Sequence, residues 1–262
     1  MVDSKVTDLI RVLVLSGGQG PPRDWARLCA QVLDVDGIAI SVASNGTELL
    51  WFSDEESARL DDLQFTLGEG PSVEASRDGS LNLESNLERA FGERWPAFVP
   101  AAVDSGVCAV FAFPLRLGAV CFGAMTGHRH RSGPLGEQAV ADALTIADAM
   151  AVYLLALGPR ETGPAALAGG AGAGHPTGRG GEDTGDNGAG GFGTGFPTGF
   201  GDLHRAEVHQ AAGISSLRLD VPLPEALVRL RAYAYAAERP ILDVARDIIG
   251  NRLYLTRDPG TP

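Results

Sequence analysis

Cysteine is scarce here: Cys29, Cys108 and Cys121 are the only three in 262 residues. They are too few and too scattered for a disulfide framework, and no CxxC or CxxH spacing suggests zinc. Aromatic residues are thin at 6%, yet 44% hydrophobic residues suffice for a folded core and exclude global disorder. Catalytic signatures are missing as well. No serine sits in a GxSxG elbow, and Ser16-Gly17-Gly18-Gln19-Gly20 lacks the Lys-Ser/Thr of a phosphate-binding loop. Leu67-Gly68-Glu69-Gly70-Pro71 is followed by no nearby basic residue, so it is no phosphate cradle either. His128-Arg129-His130 offers two imidazoles without a neighbouring acid or Cys, which reads as a solvated turn and not as a metal site. Glu55-Glu56 and Asp61-Asp62 read as a solvated acidic face. The expectation is a non-enzyme with no metal and no cofactor.

Long uninterrupted apolar runs are also missing. Val6 to Leu15 is broken by Thr7, Asp8 and Arg11, unlike a signal-peptide core. Ala139 to Leu157 carries Asp142 and Asp148, and a central Asp costs roughly 2.5–3.5 kcal/mol on insertion into a membrane. That stretch therefore reads as a buried or dimer-forming helix, and the chain as soluble and cytoplasmic, without a membrane partner.

What is abundant is glycine and acid. The formal charge is −12, shared unevenly: about −9 over residues 1–160, −3 over 161–201 and zero over 202–262. Sixteen glycines crowd residues 161–201. Such a segment cannot bury enough apolar surface to offset its ordering entropy. As a flexible coil it spans on the order of 30–40 Å. Phe192, Phe196 and Phe200 recur within it every four residues. The organisation expected is a folded domain over 1–160, a Gly-rich flexible linker over 161–201 and a small domain over 202–262.

The first domain reads as α+β. Helical spacing covers Val6–Leu15 and Trp25–Leu33, and strands follow at Gly37–Ala43 and Glu48–Phe52 across an Asn45-Gly46 turn. A helix broken near Pro96 and Pro100 is expected over 93–105, then strands at Val107–Leu115 and Ala119–Thr126, then a helix over 135–157. Trp51, Phe65, Cys108, Phe111, Phe113 and Cys121 read as core, with the lining of a small-molecule cavity as the alternative. Cys108 and Cys121, on adjacent strands, read as structural thiols or as a redox pair.

The last domain reads as three short amphipathic helices. Their stripes are Val208, Ala211, Ala212 and Ser215; Leu223, Ala226, Leu227, Leu230 and Ala234; and Ile241, Val244, Ala245, Ile248, Ile249 and Leu253. Some sixty residues is marginal alone, so dimerisation is expected.

At this point the residues carry a resemblance. Phe65-Thr-Leu-Gly-Glu-Gly-Pro71, Phe111-Ala-Phe-Pro-Leu115 and Gly118-Ala-Val-Cys-Phe-Gly123 resemble a GAF sensory domain over most of residues 9–157. The resemblance implies an antiparallel sheet between helices, a ligand pocket on one face and helix-mediated dimers. Ser72 stands where many relatives have Cys. Gln210-Ala-Ala-Gly213, Glu225-Ala-Leu, Leu230-Arg231, Asp243-Val-Ala245 and Ile248-Ile249 resemble an ANTAR domain over about residues 203–255. That resemblance implies binding to tandem RNA hairpins in nascent transcripts and prevention of transcription termination. The family's first-helix Lys is Ala212 here. Gln210 belongs to the matched motif, and Arg205, Arg229, Arg231, Arg246 and Arg252 carry donor forks suited to phosphates and base edges. Tyr233 and Tyr235 offer faces for unpaired bases. The plain alternative is a surface of paired arginines, for instance Arg229 with Glu225 or Arg239 with Asp243. The expected protein is a dimeric, ligand-responsive antiterminator; the alternative is a sensor and interaction module whose tail only dimerises.

Overall fold

The computed structural model describes residues 4–156 and 205–256, apart from 18–19, 23, 44–46 and 91–93. The expected linker over 161–201, with its three phenylalanines, and the Asn45-Gly46 turn lie outside the described residues.

Helices α1 (Ser4–Leu15) and α2 (Trp25–Val32) open the chain. Val6, Leu9 and Leu13 on α1 and Trp25, Ala26, Cys29 and Ala30 on α2 are buried, the three-to-four spacing of a helix with one apolar face. The Trp25 indole donates to the Leu9 carbonyl at 3.0 Å.

Strands β1 (Gly37–Ala43), β2 (Thr47–Phe52), β3 (Asn82–Glu84), β4 (Ala109–Leu117) and β5 (Val120–Arg129) form one sheet in the order β2-β1-β5-β4-β3. All neighbours are antiparallel. Gly118, at φ 57°, turns the β4–β5 hairpin, a conformation that glycine adopts without a Cβ penalty. Alternation along β4 divides the core. Phe111, Phe113 and Leu115 join Ile38, Ile40 and Met125 against α1, α2 and the long helix α6 (Glu137–Ala156). Val110 and Ala112 face the other way, into clusters with Leu60, Phe98 and Val99 and with Ala75 and Ala124.

That second face is covered by α3 (Glu55–Leu67), α4 (Pro71–Asp78) and α5 (Phe98–Asp104). Asp54 caps α3 by accepting from the Ser57 amide at 2.8 Å. The Gly-Glu-Gly-Pro run then works as a joint. Gly68 ends α3 at φ 69°, Pro71 opens α4, and the Glu69 carboxylate accepts from the Ala97 and Phe98 amides at 2.6 and 2.9 Å. Those amides are at the start of α5, where no carbonyl of the helix is available to them. The expected helix over 93–105 is thus shortened to begin at Phe98, and Pro100 falls in its first turn, where a missing N–H costs little.

The last helices are α7 (Ala206–Leu219), α8 (Leu223–Ala236) and α9 (Ile241–Ile249). Their expected stripes meet in one cluster of Val208, Ala211, Ala212, Leu227, Leu230, Ala234, Val244, Ala245 and Ile248. That cluster has one member from elsewhere: Phe65 of α3.

Among the described residues, one helix, α6, is long and apolar enough to cross a membrane. It packs instead on β4 and α1, with Asp142 buried and accepting from Gln138 at 2.9 Å.

Candidate functional site

The residues that join the last three helices to the rest are charged. Asp61, Asp62 and Phe65 lie within four residues on α3, so one turn brings them to a common face. Arg205 stands at the N-terminus of α7 and reaches that face. Its Nη2 donates to Asp61 at 2.8 Å and Asp62 at 2.7 Å, and its Nε donates to Asp62 at 2.9 Å. Its guanidinium lies 4.2 Å from the Phe65 ring centre, and that of Arg231 lies 4.1 Å from the same ring. A second arm comes from β2. Glu48 accepts from the Arg205 amide at 2.9 Å and pairs with His209 Nε2 at 3.0 Å.

The Arg205 side chain is 0% exposed and that of Asp61 2%. Burial opposes the charge on Arg205, but Asp61 and Asp62 together outweigh it and hold its pKa above the ordinary value. Burial pushes the Asp61 carboxyl up, against the pull of Arg205. A guanidinium does not shed its proton in a protein, so ionised carboxylates are the state that compensates it. Arg231 fares differently. Burial first and the charge of Arg205 second push it down to about 10, and its buried Nε has no hydrogen-bond partner.

Two expectations are corrected here. Asp61-Asp62 is not a solvated face, because Asp61 is buried beneath the C-terminal helices. Arg205 and Arg231 do not project into solvent from the tail but close over Phe65. The other expected RNA-contacting residues remain outside. Gln210, Tyr233, Arg246 and Arg252 are exposed, and Arg229 is partly so. Arg229 pairs with Glu225 at 2.6 Å, as its i,i+4 spacing implied; Arg246 pairs with Glu207 at 2.8 Å and Arg252 with Asp247 at 2.8 Å. Arg239 meets Asp247 at 2.6 Å, not Asp243. Ala212 packs at 1% exposure inside the bundle, so its position is a core site and not a place for a phosphate-facing Lys.

The residues read as core, or alternatively as a cavity lining, fall in separate places. Phe111 and Phe113 are buried towards α6 and Trp51 packs on the edge of that core, whereas Phe65 belongs to the cluster of the last helices. Cys108 precedes β4, its amide bonded to Arg129 at one end of the hairpin, and Cys121 lies opposite Arg116 near the other. The Cys121 thiol donates to the Ala75 carbonyl at 3.2 Å. The two thiols are therefore not neighbours facing one pocket. Nor is His128-Arg129-His130 a solvated turn. His128 and Arg129 are buried at the end of β5, and Arg129 donates to the Asp34 carbonyl at 2.6 Å and its carboxylate at 2.9 Å. Sequence spacing gave no sign of these partners, because each comes from an element far along the chain.

These features define an α+β domain, GAF-like in having a five-stranded antiparallel sheet between helices, with a three-helix bundle seated on one of its helices. No family model and no curated protein matches the sequence. Solved structures similar to the chain include the GAF domain of an Acinetobacter phosphoenolpyruvate-protein phosphotransferase, at 12% identity and TM-score 0.44, covering 57% of this chain and 89% of that one. Another is the phycoerythrobilin-bound GAF domain of a cyanobacterial phytochrome, at 11% and 0.45, covering 59% and 97%. A third is free methionine-R-sulfoxide reductase from Neisseria meningitidis in complex with its substrate, at 12% and 0.44, covering 60% and 93%.

Proposed function

We propose that this chain is a signal-responsive regulator, in which a GAF-type sensory domain governs an ANTAR-like tail that binds tandem hairpins of nascent RNA and prevents transcription termination. The observation that carries the reading is the seat of the tail: Arg205 is held against Phe65, Asp61 and Asp62 of the sensory domain, and Arg231 against Phe65. A tail docked in this way leaves Gln210, Arg229, Tyr233, Tyr235, Arg246 and Arg252 at the surface; a released tail adds Arg205 and Arg231. A small-molecule ligand on the sensory domain acts by shifting the balance between docked and released forms. Coupling by contact thus joins coupling by proximity through residues 161–201.

The protein works in the cytoplasm as a homodimer. Val14 and Leu15 of α1 and Val152 and Leu155 of α6, two helices packed on each other, leave an exposed apolar edge suited to a second copy.

A second reading, a sensor and interaction module whose tail no longer binds RNA, is favoured by the buried Ala212 and by the acidic partners of Arg229, Arg246 and Arg252. Binding of the full chain to tandem-hairpin RNA across a salt series separates the two. RNA binding weakens steeply with salt, and Arg246→Ala flattens the slope by about 1. Absence of salt-sensitive binding by both the wild type and Asp61→Asn would leave only the interaction module.

A further inference from the structure

A second acidic residue of α3, one and a half turns before Asp61, faces a different set of partners. His128 lies in β5 and His130 one residue beyond its end, and their rings meet edge-on with centres 5.5 Å apart. Glu56, in the first turn of α3, stands between them. Its Oε1 is 2.9 Å from His130 Nε2 and its Oε2 is 3.9 Å from His128 Nε2. One ligand atom from each of the three residues lies within 4.8 Å of the others. We propose that Glu56, His128 and His130 form a binding site for a divalent first-row transition metal of the Zn²⁺ type, with a fourth position open to water.

The residue types fit that class of ion: two imidazoles and a carboxylate are ligands that Zn²⁺ accepts, and three protein ligands plus water complete a tetrahedron. Bonds of about 2.0–2.2 Å at tetrahedral angles set neighbouring ligand atoms about 3.4 Å apart, against 2.9 Å from Glu56 Oε1 to His130 Nε2 and 4.8 Å at most among the three ligand atoms. Small side-chain rotations close the difference.

The surroundings hold the ligands in place. Asp36 accepts from the His130 amide at 2.7 Å and its carboxylate lies 3.3 Å from His130 Nδ1, the kind of second carboxylate that orients a metal-bound imidazole. His128 is buried, its ring edge-on to His130 at 5.5 Å between centres. Its strand position is fixed by pairing with Gly37, where a Cβ would come within 2.6 Å of both His128 Cε1 and Asp54 Oδ2. Glycine at 37 is what lets the sheet, the cap of α3 and the imidazole approach so closely. A plain His130–Glu56 ion pair needs none of this convergence on His128.

The test is a Zn²⁺ titration of the full-length, tag-free, metal-stripped protein against a chromophoric chelator, repeated with Co²⁺ to read its visible absorption. One equivalent bound, with a tetrahedral Co²⁺ spectrum, is expected. His130→Ala and Glu56→Gln, both at partly exposed positions, should each weaken Zn²⁺ binding at least about tenfold, and Asp36→Asn by about tenfold. Unchanged binding in both ligand variants, which would point to His175, His204 or His209, overturns the proposal. So does a Co²⁺ spectrum indistinguishable from that of the hydrated ion.

Discussion

Two groups of arginines in the C-terminal helical segment share a residue type, a domain and a formal charge, yet meet opposite fates. Arg229, Arg246 and Arg252 lie at the surface and pair with acids of their own helices or of the helix beside them. Arg205 and Arg231 are drawn under the bundle onto Phe65, and Arg205 takes two acids from α3, more than a hundred residues away in the chain. The difference lies in what the neighbouring apolar stripe covers. Where the stripe is sealed within the bundle, a guanidinium at its margin stays in water. Where the stripe continues onto Phe65, the margin is covered too: Arg205 meets the buried counter-charge of Asp61, and Arg231 lies over the Phe65 ring. Surface pairs are worth about 0–1 kcal/mol, whereas stripping one partner from a buried pair leaves an uncompensated charge.

The largest expected effect comes from that asymmetry. Asp61→Ala removes the fully buried counter-charge of Arg205 and should cost about 3–5 kcal/mol of the seating of the tail, read as faster proteolysis or amide exchange over α7–α9. The acid run at 61–62 could not be ranked above that at 55–56 from sequence, because each shows only two adjacent acids. Only the fold brings one onto Arg205 and the other next to His128 and His130. The helical and strand periodicities, by contrast, were legible, since they answer to local burial: β1, β2, the β4–β5 hairpin, α6 and the three tail stripes fall within a few residues of where spacing puts them. The short strand β3 lacks enough residues to show an alternation. Phe65, Phe111 and Phe113 are buried as core, but in two separate clusters, because aromatic content says that a residue is buried but not on which side of the sheet.

Phe65→Ala removes the shared apolar floor of both guanidiniums and should cost about 3 kcal/mol, measured by denaturant unfolding. Any effect below about 1 kcal/mol would show that the ring is not the seat. His209→Ala deletes one contact to the buried Glu48 while the Arg205 amide still serves that carboxylate. About 1–2 kcal/mol is the expected cost. The smallest effects belong to the surface group. Arg229→Ala and Arg252→Ala should each change stability by no more than about 1 kcal/mol, and a larger loss in either would erase the distinction between the two groups.

The most direct measurement is a double-substitution cycle across the buried pair, with amide exchange over α8 as the readout in the full chain. Arg205→Met and Asp61→Leu should each speed exchange about a hundredfold or more, and the two together should restore most of the protection, because an apolar pair of similar volume replaces a buried ion pair without loss. If neither single substitution changes exchange over α8, the C-terminal helices do not depend on this pair for their place on the α+β domain, and the account of a charge-held seat is wrong.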